Sequence, residues 1–460
     1  MLFNSLSFFG FLAVVFAAYW TVKGVRAQNW LLLVASYCFY AFWDWRFLGL
    51  LIGISAVGHL SGRMRSKTGV WLACVVGLGA LGLFKYFNFF SASFAALSSA
   101  LGIQWSSVLL NLGLPMGVSF YSFKMVSYAV DCYKGKIESA ADWRDTFLYI
   151  GFFPQLAAGP IDRATNLLPQ FATERSFDFD RATRGIAQIA YGLFKKAVVA
   201  DTLCMYVDKA WGNPELYGAI ACLTAAVFYS IQIYCDFSGY SDIACGTCRL
   251  LGFEPMLNFD RPYLSKNFSE FWRRWHISLS FWFRDYVYIP LGGSRVPFWK
   301  IVRNIWIVFL LSGLWHGAAW TFVIWGGLHA LFLTGNLIRK KFYPSFDAAR
   351  LHLDLIAVNL GVTFAWIFFR AHSFADLKTF WGVLFGSYWQ CSMMRLCSGL
   401  GPMFFLCCLV GVFLLGLSYL MPRDCAFKTT RGKFVFTFLC LVTVVLLGVP
   451  SAGEFIYAQF

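Results

Sequence analysis

Long apolar runs alternate with short clusters of charge from one end of the chain to the other, and most runs approach the roughly 20 residues a helix needs to cross a bilayer. The first run, 2–20, has no positive residue before it and no clear small-residue cleavage site after it, so it reads as a first transmembrane helix rather than a signal peptide. Lys23 and Arg26 come next. Runs at about 30–42 and 47–60 flank a turn, Trp43-Asp-Trp-Arg46, and end at Arg63, Arg65 and Lys67. If both basic clusters are cytoplasmic, the Trp-rich turn sits at the opposite interface, where indole rings favour the headgroup level. Further spans are expected at about 70–87 and around Leu114-Pro-Met-Gly-Val-Ser-Phe-Tyr121, then at 217–234, 237–251, 301–314, 320–337, 353–369, 403–420 and 434–449. A weaker segment lies near 380–389. The count comes to roughly eleven to thirteen membrane elements.

Two stretches break the pattern. Tyr149 to Arg163 is too short and too rich in Pro and Gly for a clean span, so it is either a re-entrant element lining a site or a loop at the interface. Residues 181–200 read as an amphipathic or partly embedded helix ending near Lys195 and Lys196. The expected junction between the 217–234 and 237–251 spans carries Gln232, Asp236 and Asp242. Carboxylates among apolar helices are by default functional or paired.

Composition turns this pattern into a class. Hydrophobic residues make up 59% of the 460 and charged residues only 13%, where soluble chains carry about 25%. The chain is therefore expected to be an all-α polytopic membrane protein, one integral-membrane domain over 1–460 with its catalytic core at about 114–330. Its net charge of +15 fits a positive-inside bias and attraction to anionic headgroups; it also suits an anionic donor, while nucleic acid is not an expected partner. Most of the 14 cysteines fall inside apolar runs, where cysteine acts as a small hydrophobe. Cys245-Gly-Thr-Cys248 has the spacing of a redox or metal pair, but no second pair stands nearby, so no metal is assigned.

The chemistry concentrates between Asn258 and His329. Asn258-Phe-Asp-Arg-Pro-Tyr263 opens the stretch, an aromatic and basic run extends from Glu270 to Arg284, and Leu314-Trp-His316-Gly comes near its end. Of six histidines, His276 and His316 each sit beside tryptophan, Trp275 and Trp315. An imidazole titrates near neutrality and can take and return a proton, so both are candidate catalytic groups; the alternative for each is a packed histidine. His329 reads as helix packing. The 270–284 run is expected to lie as one helix in the interface with its aromatic rings in lipid, and Arg273 and Arg274 to face phosphates of lipids or of a donor. No serine-hydrolase elbow or zinc signature is present.

These motifs, with Ser127-Tyr-Ala-Val-Asp131, Phe153-Pro-Gln-Leu-Ala-Ala-Gly-Pro-Ile161, Trp366-Ile-Phe-Phe-Arg370 and the terminal Phe455-Ile-Tyr-Ala-Gln-Phe460, occur in order over nearly the whole chain. Together they resemble the membrane-bound O-acyltransferases, in particular the bacterial branch of alginate O-acetyltransferase, which is related to the teichoic-acid D-alanylation membrane protein. The resemblance implies a helical bundle around a funnel, with His316 as catalytic histidine and His276 as a second one. It also implies that Arg273, Arg274, Trp275, Trp315, Asp236, Gln232, Asn258 and Tyr263 line the substrate or donor path. Lys124 stands where related chains lead one to expect glutamine.

The same resemblance implies transfer of an acetyl group from a cytoplasmic thioester, acetyl-CoA or an acyl carrier, with no tightly bound cofactor. The acceptor would be an extracytoplasmic polysaccharide, reached through an SGNH-type acetyltransferase or a polysaccharide modification complex at the bacterial inner membrane. D-alanyl transfer to teichoic acid and a non-catalytic transporter or scaffold for polysaccharide export stand as alternatives.

Overall fold

Helices form wherever the apolar runs lie, and the computed structural model, which describes residues 1–138, 142–156, 159–342, 351–386, 389, 400–420 and 429–449, contains no strand among them. Six helical stretches are long and apolar enough to cross a membrane: Val25–Met64, Lys67–Ala100, Pro214–Leu250, Phe298–His316, Trp320–Phe342 and Thr430–Leu447. The multi-pass all-α architecture expected from the run pattern is thus present. By contact density the chain divides into two compact units, one of residues 1–185 and 244–256, the other of 186–243 and 257–460.

In the first unit the helix Val118–Tyr133 is buried on nearly every side and packs against Leu48–Met64 and Lys67–Leu81. Small residues make the approach possible: a Cβ on Gly62 or Gly77 would press into Tyr128 or Met125. Gly117 precedes this helix with φ +70°, and a side chain there would meet the backbone carbonyl of Leu156, which accounts for the glycine in the Leu114–Tyr121 motif. The expected span there begins only after that glycine, at Val118, and the 70–87 span runs on through a π-helical turn at Gly82–Tyr86 to Ala100.

The described residues of the stretch after Tyr149 are covered by protein. Lys124 donates from Nζ to Gln155 Oε1 at 2.8 Å and to the Tyr149 carbonyl at 3.2 Å, and Gln155 Nε2 donates to Asp162 at 3.1 Å. Asp162 also receives Asn166 Nδ2 and the backbone amides of Arg163 and Met256. A lysine at this position therefore belongs to a paired polar network. Cys245 and Cys248 are buried free thiols on one helix.

The second unit corrects two expectations. Gln232 to Asp242 is not a junction between spans, because one helix continues through it; the break in Pro214–Leu250 falls instead at Gly218, with φ +82°. Polar residues can sit inside that helix since basic side chains meet them. Lys196 Nζ lies 2.7 Å from Asp236 and 2.8 Å from Asp201, all three groups buried, and Lys195 pairs with Asp242, which also accepts from Gln188 Nε2 at 2.8 Å. Both lysines lie on a π-helical turn, Phe194–Ala200, a distortion that turns consecutive side chains toward one helix.

The run from 270 to 284 is likewise not one interfacial helix. It is two short helices, Phe268–Arg274 and Ile277–Phe283, continued by a π-helical turn at Arg284–Tyr288. Phe271, Trp272, Trp275 and Trp282 are buried in protein instead of projecting from an interfacial helix. The helices Phe298–His316, Trp320–Phe342 and Leu351–Arg370 follow in the order expected, a helix at Phe374–Phe385 accounts for the weak segment near 380, and Gly401–Leu420 and Thr430–Leu447 come after it. The terminal Phe455–Phe460 motif lies outside the described residues.

Candidate active site

His316 is the last residue of its helix, and a glycine contact fixes where that end lies. Gly313 and Gly326 face each other between Phe298–His316 and Trp320–Phe342, so close that a Cβ on either would collide with a backbone carbonyl of the opposite helix. Just beyond the turn, Thr321 Oγ1 donates to the Ala371 carbonyl at 3.0 Å, tying in the end of Leu351–Arg370. The imidazole of His316 is 2% exposed. Its ring centre lies 4.9 Å from Trp325, 5.0 Å from Trp315, 5.4 Å from Phe369 and 6.3 Å from His276.

His276 reaches the same place by a different device. Its backbone is left-handed, φ +41° and ψ +54°, and this single residue ends one short helix and starts the next. For a residue with a Cβ that conformation is uncommon and needs support from its surroundings. The support comes from Asn258, whose carbonyl accepts from the Ile277 amide at 2.9 Å and whose side-chain oxygen accepts from Ser278 Oγ at 2.6 Å. The Asp260 amide donates to the Arg274 carbonyl at 2.9 Å on the other side of the kink. Asn258 is thus placed to hold the His276 backbone.

The His276 ring is fully buried, 4.7 Å from Phe237 and 5.9 Å from Trp315. It lies outside the helices long enough to cross a membrane, and burial pushes its pKa down to about 3. At neutral pH His276 is a neutral imidazole, with one nitrogen to donate and one to accept.

The remaining sequence candidates divide into groups. Trp315 packs beside both histidines, and Asp236 precedes Phe237 in the helix that walls His276 while holding its ion pair with Lys196. Trp275 points elsewhere, into a cluster with Phe259, Trp366, Tyr234 and Tyr263. Tyr263 donates its hydroxyl to the Ser230 carbonyl, and the Gln232 side-chain oxygen is buried without a hydrogen-bond partner among the described residues. Arg274 pairs with Glu270 at 2.6 Å, and Arg273 is exposed.

His329 belongs nearer the site than its packing role suggests. Trp325 stands between it and His316, with ring centres at 4.9 Å from each, and Trp272 Nε1 donates to His329 Nδ1 at 3.2 Å. The aromatic walls Phe237, Trp325 and Phe369 escaped the sequence reading, because in a chain that is 20% aromatic a single ring carries no signal. Among the described residues no group of three or more His, Cys, Asp or Glu side chains is arranged to hold a metal.

Two imidazoles meeting edge-on inside an aromatic box can exchange a proton with a bound hydroxyl while keeping bulk water out. The family model of the membrane-bound O-acyltransferases matches residues 142–375, the span that contains both. The chain belongs to that family. A probable alginate O-acetylase of Pseudomonas syringae pv. tomato is 37% identical over 410 residues, covering 86% of this chain and 77% of the relative. A peptidoglycan O-acetyltransferase of Helicobacter pylori is 34% identical over 418 residues, covering 81% and 77%. More distantly, a teichoic acid D-alanyltransferase of Bacillus subtilis is 31% identical over 284 residues, covering 56% and 68%. This membrane-bound O-acyltransferase is therefore an acyl-transfer enzyme embedded in a bilayer.

Proposed function

We propose that the protein moves an acetyl group from a cytoplasmic thioester to a hydroxyl presented from the far side of the bacterial inner membrane, for O-acetylation of a polysaccharide. The observation that carries this reading is the buried pair of His316 and His276, 6.3 Å apart and walled by aromatic rings. His316 acts as general base: it takes the proton of the acceptor hydroxyl as the oxygen attacks the thioester carbonyl, and returns it to the departing thiolate. Neutral His276 hydrogen-bonds the reacting groups, and Trp315 packs against the side of both rings. A water-poor wall protects the thioester from hydrolysis.

Support for acetyl as the group and polysaccharide as the acceptor comes from the relatives that this chain matches over most of its length, one named for alginate and one for peptidoglycan. The D-alanyltransferase shares a shorter stretch. The donor is acetyl-CoA or an acylated carrier, and an SGNH-type acetyltransferase on the outer face completes delivery to the glycan.

The test is the O-acetyl content of surface polysaccharide in cells carrying wild type, His316→Ala or His276→Ala, with membrane levels of each protein measured. Loss of a general base costs about 10²–10⁴-fold, so His316→Ala at normal abundance should leave acetylation undetectable. Unchanged acetylation in His316→Ala would remove the general-base assignment.

A further inference from the structure

Beside the two short helices, and apart from the histidine pair, the second unit carries a half-open groove of about 420 Å³. Its walls are hydrocarbon and aromatic: Trp272, Leu279, Phe283, Phe309 and Leu333. Arg273 and Arg284 line it too, and both are exposed. Arg284 packs over the Phe281 ring at 4.3 Å and pairs with Asp285, whereas Arg273 makes no hydrogen bond or ion pair among the described residues.

The groove runs along the middle of its helices, against Ile305, Val308, Phe309 and Ser312 of Phe298–His316 and Leu333 of Trp320–Phe342, and the segment after Arg284 leads from it to their basic ends. Asn304 Nδ2 donates to the Leu291 and Gly293 carbonyls, which draws the segment after Arg284 to the start of Phe298–His316. Lys341 lies over Phe298 at 4.2 Å, so the end of Trp320–Phe342, with Arg339, Lys340 and Lys341, shares that level. Lys300 and Arg303 are exposed there as well. Basic clusters at helix ends mark the cytoplasmic leaflet, which carries the anionic lipids.

We infer that this groove is a binding site for one anionic phospholipid, its phosphate on Arg273 and Arg284 and one acyl chain against Trp272 and Phe309. A volume at the low end of ligand pockets suits a hydrocarbon chain and excludes a folded partner. A groove whose exposed surface is mostly hydrocarbon suits a lipid tail better than the amide-rich arm of a coenzyme.

Native mass spectrometry of the full chain in detergent tests this, with palmitoyl-oleoyl phosphatidylglycerol added against phosphatidylcholine of the same chains. Wild type should retain phosphatidylglycerol about fivefold or more over phosphatidylcholine, given what each arginine near a headgroup contributes. The Arg273→Gln/Arg284→Gln double variant should bring the two lipids to parity. Val308→Trp, which fills the groove and leaves both arginines, should lower retention of both, with elution volume and melting midpoint confirming the fold. Equal retention of the two lipids by wild type, or an undiminished preference in the double variant, overturns the site. Displacement of phosphatidylglycerol by acetyl-CoA also overturns it and gives the groove to the acyl donor.

Discussion

At the scale of single residues the candidate site is set by how a histidine is held as much as by its ring. His276 occupies a left-handed backbone that Asn258 supports, and its ring is buried deeply enough to stay neutral. The consequence for stability has a definite sign. The folded-state pKa is depressed to about 3 while an unfolded imidazole titrates near 6.5, so below about pH 6.5 the unfolded chain binds the extra proton. This contribution is complete above about pH 6.5 and is lost progressively as pH falls toward 3. The melting midpoint of the purified protein should therefore drop between pH 7 and pH 5, and His276→Asn, which tolerates the same backbone, should show a shallower drop. Parallel slopes would mean that other groups set the acid sensitivity.

Among elements, the glycine contact between Phe298–His316 and Trp320–Phe342 decides where His316 and Trp325 meet. A methyl group on Gly326 runs into the Phe309 carbonyl, whereas on the neighbouring Gly327 it finds ordinary contact distances of 3.9 Å to Leu310 and Trp306. Gly326→Ala should cost about 1–3 kcal/mol through overpacking and lower the thermal midpoint measured by fluorescence-detected gel filtration. Gly327→Ala should not. Equal behaviour of the two variants would dissolve the argument that this contact sets the register.

Elements were legible in the sequence where an apolar run is bounded by charge, as it is for Phe298–His316 and Trp320–Phe342, because a membrane helix must satisfy its backbone internally and shed its charges at the ends. Legibility failed where polar groups are satisfied at a distance. Asp236 looks like the edge of a span until Lys196, about 40 residues earlier, is seen to meet it. The kink at His276 left no trace either, since the residue forced into the left-handed region is neither glycine nor asparagine and its support comes from Asn258. The two histidines themselves stood out by their rarity and their tryptophan neighbours, but that their rings meet is a property of the fold.

For the molecule as a whole, the distribution of positive charge gives an orientation. Arg339, Lys340 and Lys341 end one membrane helix, and Ala375 comes just after the opposite end of the next, Leu351–Arg370. Both Lys340 and Ala375 are exposed. In intact cells a membrane-impermeant maleimide should label Ala375→Cys in a background lacking other accessible thiols, and should reach Lys340→Cys only after the membrane is opened. The reverse pattern would place His316, at the Ala375 end, on the cytoplasmic side and rule out an outward-facing acceptor.

The clamp between Asn258 and Ser278 also has a consequence for how the site comes into being. Its two ends are 20 residues apart, a loop short enough to close at little entropic cost and within microseconds. His316 is synthesised roughly 40 residues later, which at about 5–20 residues per second is a delay of seconds. During biogenesis the bend around His276 can thus be finished before its counterpart leaves the ribosome. Assembly of the histidine pair then reduces to docking one late helix onto a template already in place.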